Sequence, residues 1–253
     1  MRLDRYLANS GVGTRSQVKK LIRDGHVSVN GKIVRDPSFK VKENDAVECL
    51  NQRVEPPTHI YLALYKPTGY VCDRVDDANI FDLIVHAKFR ELHVAGRLDR
   101  DVEGLVILTT DGSFTHLLID PKSRLEREYL VWVEGKIDDE MKKMVETGLT
   151  LNQERFAPAK IEEVEEGLVR LVLTEGKYHE VKRIITAIGL RYKRIVRTRF
   201  ENITLQGLTP GEYRQLKDEE IKSIVQIATK NRLKSQQLKG LRKADRESTW
   251  RVP

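Results

Sequence analysis

Two short stretches concentrate groups able to exchange protons or hold anions: Gly96-Arg97-Leu98-Asp99-Arg100-Asp101, and Glu175-Gly176-Lys177-Tyr178-His179-Glu180-Val181-Lys182-Arg183. In the first, two carboxylates alternate with two guanidinium groups between an apolar run ending at Ala95 and a strand-like run over 105–108. A loop of this kind is commonly a turn whose charges satisfy one another. In the second, Val181, Ile184, Ile185 and Ile188 recur at the spacing of a helix core face. That puts Lys177, His179, Lys182 and Arg183 in the first turns of a helix, where the macrodipole disfavours cations. An anion held nearby, either a carboxylate or a phosphate, accounts for the conflict. Neutralisation by Glu175 and Glu180 is the simpler alternative.

Other chemistries lose ground by their missing signatures. No G-x-G-x-x-G follows a strand-like run, and the six His are not spaced as ligands, so neither a dinucleotide nor a metal is expected. Gly11-Val12-Gly13-Thr14 follows a helical stretch and lacks the Gly-Lys-Ser/Thr of a phosphate loop, which makes it a turn between helices. No window approaches about 18 consecutive apolar residues, so a membrane span is excluded. The segment from Met1 to Tyr6 lacks the layout of a secretory signal, and Cys49 and Cys72 form no CxxC pair. A cytoplasmic location is the expectation.

The elements that must position these groups fall into two blocks. Residues 1–42 carry ten basic and three acidic side chains, and residues 229–253 carry eight and two, whereas the remainder is acidic. Basic ends on an acidic body are the electrostatic footprint of a protein that meets a polyanion. In the N-terminal block Leu3, Tyr6 and Leu7 predict a helix, and Thr14-Arg15-Ser16-Gln17 has the form of a capping box opening a second. Along that helix Val18, Leu21 and Ile22 form an apolar stripe, while Arg15, Lys19 and Arg23 recur on another face. Asn30-Gly31 between short β-branched runs predicts a hairpin.

Glu55-Pro56-Pro57-Thr58 reads as a break. The expected organisation is a module at 1–55, a linker at 56–59, a body at 60–228 and a basic tail at 229–253. Strand-like runs at 60–64, 104–109, 129–133, 156–164 and 168–173 alternate with helical patterns near 80–85, 138–146 and 178–188. The fold class is therefore α+β, with a mixed or antiparallel sheet flanked by helices. Arg191, Lys193, Arg194, Arg197 and Arg199 read as a further rim facing that polyanion, an RNA on the resemblance described next, or as a solvated strand edge.

Several of these stretches resemble known families. Arg2-Leu3-Asp4-Arg5-Tyr6-Leu7, Thr14-Arg15-Ser16, Gly25, Val27-Ser28-Val29-Asn30-Gly31-Lys32 and Asp45 are similar to the small RNA-binding domain of the ribosomal S-four type. Gly96-Arg97-Leu98-Asp99 with Gly104-Leu105 and Thr109-Thr110-Asp111-Gly112, then 175–183, together with Lys66-Pro67-Thr68-Gly69-Tyr70 and Tyr129, resemble the pseudouridine synthases. The resemblance runs from residue 1 to about 228. Three positions depart from the usual pattern: Tyr65 stands for Asn, Val102 for Thr or Ser, and Glu180 for Gln.

The resemblance implies a cofactor-free isomerisation of one uridine in folded ribosomal RNA, most closely that of the small subunit. Asp99 would be the catalytic carboxylate, acting as nucleophile or as ribose base. Lys182 would be its basic partner, Tyr129 would stack on the uracil, Val181 would pack under it, and Arg97 would meet nearby phosphates. Arg2, Arg5, Arg15, Lys19, Arg23, Lys32, Lys177 and Arg183 are the expected RNA contacts. Alternatives are a large-subunit RNA target or a non-catalytic ribosome-assembly factor. A methyltransferase, which would need S-adenosylmethionine, is disfavoured by the missing glycine-rich loop.

Overall fold

The computed structural model describes residues 1–42, 44–86 and 88–248, with side chains through Gln237. The chain divides into two compact units, Met1–His59 and Ile60 onward. In the first, helices α1 (Leu3–Asn9) and α2 (Arg15–Arg23) accompany strands β1 (Val27–Val29), β2 (Lys32–Ile33), β3 (Val47–Cys49) and β4 (Gln52–Arg53), ordered β2-β1-β3-β4. The capping box forms as its residues predict: Gln17 N–H donates to Thr14 Oγ1 at 3.3 Å and Thr14 N–H to Gln17 Oε1 at 2.8 Å. Val18 and Ile22 on α2 are wholly buried beside Leu3, Leu7 and Val27, whereas Arg15, Lys19 and Arg23 are exposed. Asn30 and Gly31 turn the β1–β2 hairpin with φ of 52° and 76°, the positive values an Asn-Gly turn supplies at least cost.

The second unit holds β5 (Tyr61–Lys66), β6 (His93–Ala95), β7 (Glu103–Thr109), α3 (Gly112–Ile119), β8 (Arg127–Glu134), α4 (Asp139–Thr147), β9 (Thr150–Leu151), β10 (Glu154–Arg155), β11 (Lys160–Glu165), β12 (Leu168–Leu173), α5 (Glu180–Ala187), β13 (Arg191–Phe200), β14 (Ile203–Thr204), β15 (Tyr213–Gln215) and α6 (Asp218–Ser248). Its main sheet runs β11-β12-β8-β13-β7-β5-β15, with β14 on β13 and β6 on β7. Every pairing is antiparallel except β13 with β7, so of the two forms expected, mixed or antiparallel, the sheet is the mixed one. The central run Leu105-Val106-Ile107-Leu108 is buried on both faces: Val106 and Leu108 join a core that includes Val145 of α4 and Ile184 of α5. Leu105 and Ile107 join Phe114 of α3 and Ile224 of α6 on the other side. Continuous rather than alternating hydrophobicity is what a strand covered by helices on both faces requires.

Two expectations differ from the structure. The run at 156–164 becomes a strand only from Lys160, because Pro158 inside it has no N–H to give a ladder. The stretch from 229, expected as a separate basic tail, continues α6 to Ser248. Polar contacts hold it where apolar periodicity ends: Asn231 Nδ2 donates to Ser123 O at 2.9 Å, and Arg232 pairs with Asp120 at 3.3 Å. Residues 249–253 of the expected tail lie outside the described residues. Among the described residues no helix is long and apolar enough to cross a membrane.

Candidate active site

The parallel contact between β13 and β7 creates the site. It is short, pairing only Val196 with Glu103 and Arg197 with Gly104, while β6 takes the far end of β7 from Ile107 to Thr109. The loop 96–102 leaves the sheet between these two partners. Close approach there demands glycine: a Cβ on Gly104, whose φ is +110°, would lie 2.3 Å from Arg197 O. Where β7 changes partner, the Arg197 side chain supplies the missing donors, Nε to Leu105 O at 2.7 Å and Nη2 to Gly96 O at 2.8 Å. Its burial at 2% exposure is thus compensated by hydrogen bonds.

Lys66 anchors the other side of the loop. Fully buried, its ammonium donates to Pro67 O at 3.0 Å, Arg100 O at 3.1 Å and Val102 O at 2.7 Å. Loss of water pushes its pKa down to about 8. The following segment adds Gly69 N–H to Arg100 O at 2.8 Å, and Leu98 N–H donates to Cys72 Sγ at 3.4 Å. With Val102 N–H closing a turn on Asp99 O at 3.2 Å, the backbone carrying Asp99 is tied from several elements.

The fixed loop meets the first turn of α5. Lys182 Nζ lies 2.9 Å from Asp99 Oδ2 and 2.6 Å from Asp101 Oδ1. Burial alone would lower the Lys182 pKa, yet its hydrogen bonds to Asp101 and Asp99 hold it above the ordinary lysine value. Burial likewise opposes ionisation of Asp101, but the Lys182 hydrogen bond keeps that carboxyl below its usual range. The cations at the start of α5 therefore have their anions, and these are carboxylates. Lys177 pairs with Glu175 at 2.9 Å and also donates to Arg155 O. Arg183 pairs with Glu154 of β10 at 2.6 Å. His179, the residue preceding α5, has φ of 52°, a left-handed conformation costing on the order of 1 kcal/mol or more outside glycine. Its Nε2 lies 3.4 Å from Asp99 Oδ2.

A pocket of about 620 Å³ opens over these groups. Asp99, Arg97, Tyr129, Val181, Lys182 and Lys177 all line it. Tyr129 and Val181 are 7% exposed, and Arg97 reaches outward to Asp73 at 3.0 Å. Arg183 is absent from the lining, and Arg2, Arg5, Arg15, Lys19, Arg23 and Lys32 belong to the first unit. Glu180 is buried, accepting from Lys177 N–H at 2.9 Å, and its desolvation raises its pKa.

Of the basic residues at 191–199, Arg191, Lys193 and Arg194 are exposed, Lys193 pairs with Glu134 at 3.2 Å, and only Arg197 is removed from the expected rim by burial. Arg197 is an internal brace, Arg194 pairs with Glu103 at 2.9 Å, and Arg199 pairs with Glu126 at 3.0 Å. Arg197 and Lys66, which brace the loop, stand outside the expected site residues, although Lys66 opens one of the stretches that carry the family resemblance. A lysine ending the apolar run Leu62-Ala63-Leu64 was the available signal for Lys66. Arg197 had none, since its need arises only when β7 changes partner.

A carboxylate 2.9 Å from an ammonium, lining a pocket with an aromatic wall, in a chain that also carries a compact helix-pair module with a basic face, fits an RNA-modifying enzyme. The chain belongs to the RNA pseudouridylate synthase family, whose model matches residues 60–187, and is an isomerase; residues 1–47 match the S4 domain. It is 40% identical over 231 residues to the ribosomal small subunit pseudouridine synthase A of Vibrio parahaemolyticus, covering 88% of this chain and 99% of that one. Its similarity to the protein of that name from Escherichia coli is 37%, covering 89% and 100%. A solved structure described as "Crystal structure of pseudouridylate synthase" is 33% identical, covers 88% of this chain and 99% of its own, and superposes with a TM-score of 0.64.

Proposed function

We propose that this protein converts a single uridine of small-subunit ribosomal RNA to pseudouridine, with Asp99 acting on the ribose as nucleophile or as base. In the net reaction the bond from ribose C1′ to uracil N1 breaks and one from C1′ to C5 forms. The proton of C5 leaves and N1 gains one, so atoms balance without a cofactor. The base must leave its helix and enter a pocket that stacks it and presents a carboxylate.

The observation that carries this reading is Asp99, fixed by the braced loop and kept 2.9 Å from Lys182 inside the pocket. The adjacent ammonium is the cation that balances this carboxylate within the pocket. Tyr129 supplies the stacking wall, Val181 the apolar floor and Arg97 a phosphate contact once RNA displaces Asp73. The exposed Arg15, Lys19 and Arg23, with Arg2, Arg5 and Lys32, make the first unit the RNA-docking module. Lys177 and Arg183, engaged with Glu175 and Glu154, hold the pocket's surroundings in place rather than offering free charge. The names of the relatives support ribosomal RNA, and the small subunit in particular, as the target. A protein acting on that RNA works in the cytoplasm.

The test is to incubate the purified protein, without cofactor, with small-subunit ribosomal RNA from cells lacking it, and to map pseudouridines. One new site is expected. New sites confined to large-subunit RNA would refute the assignment of subunit, and none on either RNA or on assembling particles would refute catalysis.

A further inference from the structure

Two tyrosines line the pocket, and they differ in kind. Tyr129 is 7% exposed, whereas Tyr178 is 77% exposed. One face of the Tyr178 ring is stacked on His179, with centroids 3.7 Å apart and planes 24° from parallel. His179 in turn touches Asp99, its Nε2 lying 3.4 Å from Oδ2. The contact with Asp99 and the place of His179 immediately before α5 position that ring, so Tyr178 is backed by a side chain of the pocket itself. Its other face is left to the pocket mouth.

We propose that Tyr178, backed by His179, is the stacking platform for the nucleotide next to the target uridine. The proposal rests on the reading of the pocket as a uridine site. When a uridine leaves its helix, each flanking base is deprived of a stacking partner. A ring set one imidazole beyond the contact with Asp99 is too far out to hold the reacting uracil, whose place is deeper, beside Tyr129. It is where chain connectivity carries the adjacent base. Every base has a π face, so the platform accepts any neighbour, and purines, with more area, gain most. A support already in place also spares the ordering cost of forming one on binding.

The experiment uses the full-length protein and an RNA hairpin excised around the uridine that the wild type modifies. In separate hairpins the 5′ or the 3′ neighbour is made abasic. RNA affinity is measured for wild type, Tyr178→Phe and Tyr178→Ala, with circular dichroism to confirm that each variant folds. Tyr178→Phe should bind as wild type, and Tyr178→Ala should lose about tenfold, the scale of one base on one aromatic ring. One of the abasic changes should cost wild type a similar factor and cost Tyr178→Ala nothing more. Equal losses for both proteins at both flanks, or full affinity in Tyr178→Ala, would overturn the platform. Wild-type turnover reports separately on the pocket: turnover with equal losses at both flanks removes the platform alone, and no pseudouridine on the hairpin, on ribosomal RNA or on assembling particles removes the pocket reading and the platform with it.

Discussion

Glu180 concentrates the electrostatic tension of the site in one side chain. It is 5% exposed, and burial pushes its carboxyl pKa above the ordinary value. A carboxyl with a raised native pKa binds its proton more tightly folded than unfolded. Its contribution to stability is therefore full below the unfolded pKa and declines as pH rises through the folded one. Glu180→Gln keeps an acceptor for Lys177 N–H and removes the charge. The variant should match wild type in urea unfolding near pH 4 and exceed it at pH 8, by about 1 kcal/mol, the scale of one imperfectly compensated buried polar group. Local motifs, through the family they resemble, were enough to put forward Asp99, Lys182 and Tyr129, which the folded chain brings to one pocket. They could not separate Arg197 from Arg194 or Arg199, since an arginine on a strand looks the same whether it faces solvent or two orphaned carbonyls.

The decisive element is the crossing of β13 over the start of β7. Gly104 sits where a Cβ would meet Arg197 O at 2.3 Å, and that atom is backbone, which cannot swing aside. Gly104→Ala should destabilise the protein by ~3 kcal/mol, combining overpacking with a positive φ. The loss should appear as a lower denaturation midpoint, with the far-UV spectrum of the folded protein kept. The apolar run 104–109 showed the strand but not its partners, because a one-sided change of neighbour leaves no mark on hydrophobic periodicity. The same limit explains α6. Around Leu233 its hold comes from Asn231 and from Ser235, whose Oγ lies 3.4 Å from Lys122 O, and such polar contacts leave no apolar rhythm to read.

Across the whole molecule, the charge asymmetry divides the labour. The first unit presents Arg15, Lys19 and Arg23 on the exposed face of α2, whereas the second unit encloses the pocket. Replacing any one of the three by Ala should weaken RNA binding and lower the slope of log affinity against log salt by about 1, or slightly less, for each phosphate left without its cation. Turnover at saturating RNA should not change, which steady-state kinetics would check. The order of the two matched regions and the motifs that carry the family resemblance were legible in the linear pattern, because each is built from residues close in sequence. What joins Lys66, Arg197 and the loop 96–102 spans distant elements and needed the folded sheet.

The central claim, that Asp99 carries the reaction, is tested most directly by single-turnover kinetics and RNA affinity for Asp99→Asn beside wild type. Asn fills the same space and retains an acceptor, but it has no negative charge for Lys182 and cannot act on the ribose. Pseudouridine formation should fall below detection while RNA affinity stays within about threefold, the pattern of a group that acts in the transition state alone. Retained turnover in Asp99→Asn, or a loss of affinity as large as the loss of rate, would contradict it.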